Sequence, residues 1–242
     1  KCRWMGFCYY EFLLIFVSYS YYEVYTNSQR AFSGLGFTHG ADEDAAYITT
    51  WLEVCGLDGI KLLSLKIAEL DNTFNAIIDP SKIRSDFDFH NQSALMIGPG
   101  LIDYLISKID IHNEFKISFK NCNDPIFLIP LLYKYAKKNI SSQFILNKQI
   151  YAQITHNNIS INKDIISINY QKDFELMFTK KIINKQKLDI NIQSSKINEM
   201  LSHGINPDIK SWDQISKIAF RTFVPESEES RSKGAGGGDA ND

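Results

Sequence analysis

Residues 40–59 read GADEDAAYITTWLEVCGLDG, and this segment shows how the amino-terminal part of the chain folds. Three consecutive acids starting at Asp42 open it, where carboxylates favour the positive end of a helix dipole. The apolar residues that follow recur at helical spacing, and Gly56 is a typical residue to end a helix. A helix is therefore predicted from the start of this segment to about Cys55.

Two further helices are predicted on either side of this one. Ser20-Tyr21-Tyr22-Glu23 forms a capping box, in which serine accepts the Glu23 amide and Glu23 reaches back, so a helix should run to about Phe32. Asp58 is expected to cap a third helix whose apolar residues extend to Leu70. Residues 18–72 are therefore predicted to form a three-helix subdomain.

The following residues, 73–223, are predicted to form an α+β body. Phe115, Ile117 and Phe119 alternate with polar residues, which is typical of a half-buried strand. Further strands are predicted at 93–97, 143–146, 149–155, 159–161, 164–170, 174–179 and 187–193. The predicted fold class is α+β, with a three-helix amino-terminal subdomain packed on a largely antiparallel sheet with a few helices.

The helices of the body are predicted from their start and stop signals. Gly98-Pro99-Gly100 should be a turn that leads from a strand into a helix, whose amides offer weak support for an anion site. Asp124-Pro125 should open a helix to about residue 138. Another helix should end at Gly204, and a second capping box at Ser211 should open the last one, which ends near Arg221.

Composition and charge exclude several classes of protein. The chain has 242 residues, of which 44% are hydrophobic, so it is too apolar to be disordered. Its net charge of −2 gives no reason to expect a nucleic acid or an anionic membrane as a partner. Four cysteines without a CxxC pair predict neither a disulfide scaffold nor a zinc site. Residues 1–17 lack a full signal sequence and are expected to be a non-native or disordered leader on a cytoplasmic protein.

The sequence contains no recognised catalytic motif, but three residues are of types that could serve in catalysis or metal binding. His39 precedes an acidic helix start and would suit a general base or a metal ligand, but the other histidines are scattered, so no metal is predicted. Cys55 falls on an apolar helix face and should be a core residue, whereas Cys122 lies in a polar segment and is a weak candidate nucleophile.

Residues 224–242 are acidic, then basic, then glycine-rich, and they carry no apolar face. One interpretation is a solvated tail. The alternative is a peptide that orders when it covers a cleft or docks on a partner.

Three segments together resemble an uncharacterised bacterial family of domains of unknown function, of similar length. The segments are 20–24 (SYYEV), 34–59 (which begins GLGFTHGADEDA) and 221–242 (which begins RTFVP and ends in Asn241-Asp242). The resemblance implies that the chain proper starts near Ser18 and that the tail belongs to the family pattern. The sequence departs from that pattern at His39, where the family is expected to have an aromatic residue.

A weaker similarity is to the type-2 malate/lactate dehydrogenases, which begin with a helical unit of comparable spacing. Their Ser-His-Gly catalytic motif should follow the second helix, where this chain has Gly56-Leu57-Asp58-Gly59-Ile60. If the folds are related, the similarity implies that the dehydrogenase chemistry has been lost or replaced.

The leading hypothesis is an accessory domain without catalytic residues and without a cofactor, which binds a small anionic metabolite or a partner protein. It rests on the missing catalytic motifs and on a patterned tail with two of the five arginines, Arg221 and Arg231. The alternatives are a diverged NAD(P)-dependent oxidoreductase and a homo-oligomer built on the helical subdomain. The candidate binding residues are His39, Gly40, Asp42, Glu43, Trp51, Arg221, Glu229, Ser230, Arg231, Gly234 and Gly236.

Overall fold

A computed structural model describes residues 18–109, 113–166 and 172–223. The expected leader and the glycine-rich tail lie outside these residues.

The three amino-terminal helices are confirmed: α1 (Tyr21–Gly34), α2 (Ala41–Val54) and α3 (Gly59–Leu70). The capping box before α1 is complete, because the Glu23 amide donates to Ser20 Oγ over 3.2 Å and the Ser20 amide donates to Glu23 Oε2 over 2.7 Å. Asp58 does not cap α3 with its side chain. A glutamate of α2, Glu53, accepts the Ile60 amide there instead.

The region 93–109 differs from the prediction, because it forms one helix, α4 (Ala94–Ile109), in place of a strand, a turn and a shorter helix. Pro99 lies inside α4 and donates no hydrogen bond. A β-carbon at Gly98 would lie 2.9 Å from Leu128 Cδ2, so the glycine lets α4 approach the helix that follows in sequence. Tertiary packing thus outweighs the local turn signal, and the proposed anion site on these amides is lost.

The segment after Asp124 also departs from the prediction at its start. Residues Pro125–Phe127 form a 3-10 turn, and the helix proper, α5, spans Leu128–Ala136. Asp124 has φ of 58° and makes no side-chain cap, so the carboxylate is released for another contact.

The sheet has seven strands within the described residues, in the order β1-β2-β6-β3-β4-β5-β7. β1 and β2 are parallel and joined by α4, and every other pairing is antiparallel, which confirms a largely antiparallel sheet. Part of the predicted strand at 164–170 is wrong, because Lys163–Ile166 forms a 3-10 turn, and the remainder lies outside the described residues. The strands are β1 (Asp86–Asp88), β2 (Glu114–Cys122), β3 (Ser141–Leu146), β4 (Gln149–Ile154), β5 (Asn158–Ile161), β6 (Lys172–Thr179) and β7 (Ile190–Gln193).

Two helices follow the sheet, α6 (Ser194–His203) and α7 (Ile209–Ala219). The start of α7 is capped by Asp208, which accepts the Ser211 amide over 2.9 Å, so the predicted capping box begins three residues too late. α7 packs on α1 and α3.

The two faces of the sheet differ in chemistry at β4 and β5. Ile154 and Ile159 lie in the hydrophobic core, which extends into the helices. On the opposite face, Gln153, Ser160 and Asn191 stand side by side in register across β4, β5 and β7. Residues 180–189, which join β6 to β7 and are called the strap below, run over this polar face.

No helix of the described residues is long and apolar enough to cross a membrane.

Candidate functional site

Asp42, a predicted binding residue, is a buried structural acceptor. It is 3% exposed, and its carboxylate accepts hydrogen bonds from Ser33 Oγ over 2.7 Å and from the amides of Gly40 and Glu43, each over 2.9 Å. Asp42 thereby holds the end of α1 against the start of α2. Its oxygens are engaged inside the protein, so a ligand would have to displace these donors.

The other predicted residues just before α2 and within it differ in burial. His39 and Glu43 are exposed, whereas Trp51 is buried and lies 5.1 Å, ring centroid to ring centroid, from Tyr133 of α5. The structure therefore brings His39, Gly40, Asp42 and Glu43 together at one helix start and places Trp51 in the core.

Arg221 lies where the ends of three helices meet. Its Nη1 donates to Asp71 Oδ1 over 2.8 Å and to the Gly34 carbonyl over 3.3 Å. The guanidinium thus links the last turns of α1, α3 and α7. Glu229, Ser230, Arg231, Gly234 and Gly236 lie outside the described residues.

Neither of the described cysteines suits a nucleophile. Cys55 and Cys122 are buried, and burial raises the pKa of both thiols. Since the thiolate is the reactive form, both are inert at neutral pH. Among the described residues there is no group of three histidine, cysteine or acidic side chains that would hold a metal ion.

A cavity lies at one end of the sheet and is called the lysine cleft below. Its volume is about 540 Å³. The strap supplies one part of the lining, and the ends of β3, β4, β5 and β7 supply the rest. The lining residues are Asn139, Ser141, Thr155, His156, Asn157, Asn158, Lys180, Lys181, Ile182, Ile183, Lys185 and Gln193.

The turn between β4 and β5 forms the floor of this cleft and is held from both sides. Thr155 donates to the Asn158 carbonyl with both its amide and its hydroxyl, each over 2.9 Å. Ser194, the first residue of α6, donates its amide to the Asn157 carbonyl over 3.2 Å and its hydroxyl to the His156 carbonyl over 3.2 Å. The polar side chains of the turn are therefore presented on a fixed backbone.

The charge of the cleft comes from the strap. Lys180, Lys181 and Lys185 all line it, and Lys181 Nζ pairs with Glu114 Oε2 over 3.1 Å. Lys180 is held at the base of the strap, because its amide donates to the Asn113 carbonyl over 3.0 Å. Although Glu114 offsets the charge of Lys181, the lysines together with the hydroxyl and amide side chains around them favour a small anion.

Sequence reasoning missed this cleft, because its lining comes from segments that are far apart in the chain. The lysines of the strap belong to no sequence motif, and Asn157-Asn158 is a pair typical of a hairpin turn. Three lysines within six residues are the local signal that could have pointed to an anion here.

Comparison of the sequence with known families gives a match that covers the amino-terminal part of the chain. Residues 19–94 match the model of a family described as protein of unknown function (DUF3726). No curated protein matches the sequence.

Three solved structures share the fold at very low identity. A dehydrogenase from Sinorhizobium meliloti has a TM-score of 0.58 and 8% identity, and the match covers 84% of this chain and 99% of that one. A malate dehydrogenase from Pyrococcus horikoshii OT3 has a TM-score of 0.54 and 10% identity, with 87% and 97% covered. A sulfolactate dehydrogenase from Methanocaldococcus jannaschii has a TM-score of 0.52 and 8% identity, with 84% and 96% covered. The chain therefore has a fold similar to that of malate/lactate dehydrogenases, and its residues 19–94 match a family whose function is unknown.

Proposed function

We propose that this protein is a cytoplasmic accessory domain that binds a small anionic metabolite in the lysine cleft. The observation that carries the proposal is the convergence of Lys180, Lys181 and Lys185 on one cavity. The volume of about 540 Å³ falls in the range of small-molecule sites. The hydroxyl of Ser141 and the side-chain amide of Asn157 also line the cleft and would orient the ligand by hydrogen bonds.

The first test is direct binding of small anions to the full chain. Inorganic phosphate and citrate should each raise the melting temperature and give saturable heats in calorimetry at low ionic strength. Added salt should weaken binding, because the contacts are charged and partly solvated. If neither anion binds, the proposal fails.

Lysine variants locate the site. Lys185→Gln and Lys180→Gln should each weaken citrate binding, by about threefold to tenfold, since each removes one exposed cationic contact. Lys148→Gln is the matched control, because Lys148 is exposed in the turn between β3 and β4, at the opposite end of the hairpin from the cleft. Equal loss in all three variants would mean that the anion responds to overall charge and does not occupy the cleft.

A diverged NAD(P)-dependent oxidoreductase is the second candidate function, and the dehydrogenase-like fold favours it. This function predicts saturable NADH or NADPH binding, seen as a rise in nicotinamide fluorescence. Binding of either cofactor, followed by turnover with a hydroxy acid, would replace the accessory role by a catalytic one. A flat titration at millimolar cofactor would remove this candidate.

A further inference from the structure

Gln153 connects the strap to the sheet at the point where the strap enters the lysine cleft. The side chain is 1% exposed and lies on the polar face of β4. Its Nε2 donates to the Asn184 carbonyl over 2.9 Å, and its Oε1 accepts the Gln186 amide over 2.8 Å. One carboxamide therefore binds both peptide groups that flank Lys185.

The remainder of the strap is held by separate contacts further along. Ser160 Oγ donates to the Gln186 carbonyl over 2.9 Å, and Asn191 Nδ2 donates to the Leu188 carbonyl over 2.7 Å. These bonds follow Lys185 in sequence. The two bonds of Gln153 are the ones that straddle this lysine.

We infer that Gln153 is a positioning residue that fixes Lys185 in the lysine cleft, and this inference rests on the proposed anion binding. A buried amide with both its donor and its acceptor engaged holds a backbone more rigidly than exposed loop contacts do. Lys185 itself is exposed, so loss of this clamp would leave its backbone less firmly held near the bound anion, although Ser160 still binds the Gln186 carbonyl. Gln153 thus affects the affinity of the lysine cleft for the anion, although its side chain does not line the cleft.

The experiment is a double-mutant cycle read by calorimetry with citrate. Gln153→Leu removes both hydrogen bonds at similar volume and should weaken binding about fivefold, as should Lys185→Gln. In the double variant the loss should equal that of Lys185→Gln alone, because the clamp acts through this lysine. Hydrogen exchange at the Gln186 amide should be faster in Gln153→Leu.

Controls separate a positioning role from a general loss of stability. Gln143→Leu changes a buried glutamine opposite Gln153 in β3 and should leave citrate affinity unchanged. If Gln153→Leu does not fold, Gln153→Met offers a more flexible side chain without the two bonds and takes its place in the cycle.

The outcomes distinguish the two proposals. Absence of citrate and phosphate binding by the unmodified protein overturns the proposed function and this inference with it. Binding that Gln153→Leu leaves unchanged, or losses that add in the double variant, overturn the inference alone.

Discussion

Glu53 shows, at the scale of one residue, a carboxylate that caps a helix from inside the core. It is 8% exposed and accepts the Ile60 amide of α3 over 2.8 Å. Burial raises its pKa, the hydrogen bond from Ile60 opposes that rise, and the charges of Asp58 and Asp208 add to it. The folded state therefore holds this proton more tightly than the unfolded chain does. As pH rises through the ordinary glutamate range to the raised pKa, the free energy of unfolding falls.

Glu53→Gln tests this linkage, because glutamine keeps an acceptor for Ile60 and carries no charge. We expect urea unfolding to show a flatter pH dependence above the ordinary glutamate range, and stability at pH 8 equal to or above that of the unmodified protein. Glu23→Gln should instead lower the free energy of unfolding at neutral pH. Hydrogen bonds from Ser20 lower the pKa of Glu23, so its charged carboxylate stabilises the folded state there. A clear loss of stability at pH 8 in Glu53→Gln would contradict this account.

At the scale of elements, Gly59 determines how closely α2 and α3 pack. A β-carbon there would lie 2.0 Å from the Thr49 carbonyl oxygen and 2.9 Å from the Glu53 amide nitrogen, both in the backbone of α2. Gly59→Ala should therefore force the helices apart and cost roughly 1–3 kcal/mol in urea unfolding.

Gly100→Ala is the control for helix propensity. Gly100 lies inside α4, and a β-carbon there would meet Ile78 Cδ1 at an ordinary 3.4 Å. This change should be neutral or stabilise by up to about 1 kcal/mol. If the two substitutions change the free energy of unfolding equally, the close approach of the helices at Gly59 does not contribute to stability.

At the scale of the whole molecule, a buried ion pair joins α3 to the segment that follows β2 of the sheet. Lys66 of α3 and Asp124, which follows β2, are each 3% exposed, and their charged atoms lie 3.2 Å apart. Burial lowers the pKa of Lys66, but Glu69 and Asp124 outweigh that effect and raise it overall. Lys66→Met should cost about 3–5 kcal/mol, because it removes the cation that pairs with a buried carboxylate.

The double variant Lys66→Met/Asp124→Asn provides the control for this prediction. It removes the buried carboxylate charge as well and should recover part of the loss, as measured by urea unfolding. The account would be contradicted if Lys66→Met lost less than about 1 kcal/mol of stability, or if the double variant were no more stable than Lys66→Met. Either result would show that the ion pair does not stabilise the contact between α3 and the sheet.

Local patterns were sufficient for the first three helices and for most strands, because capping boxes and periodicity act within a few residues. They failed at Gly98-Pro99-Gly100, where packing of α4 against α5 outweighs a strong turn signal. They also misplaced the start of α7, since Asp208 precedes the expected Ser211. The start of α3 was correct, but Glu53 of another helix accepts the Ile60 amide there in place of the side chain of Asp58. The division into domains and the choice of site residues stay predictions.

By itself, the sequence determined the α+β class, the helical amino terminus and the absence of a recognised catalytic motif, because these depend on composition and on contacts between near neighbours. Only the tertiary structure placed Asp42 and Arg221 in structural hydrogen bonds and brought the strap to the β4–β5 turn. The lysine cleft and the contacts of Gln153 join residues that lie some thirty positions apart in the chain. No local sequence pattern specifies such a contact.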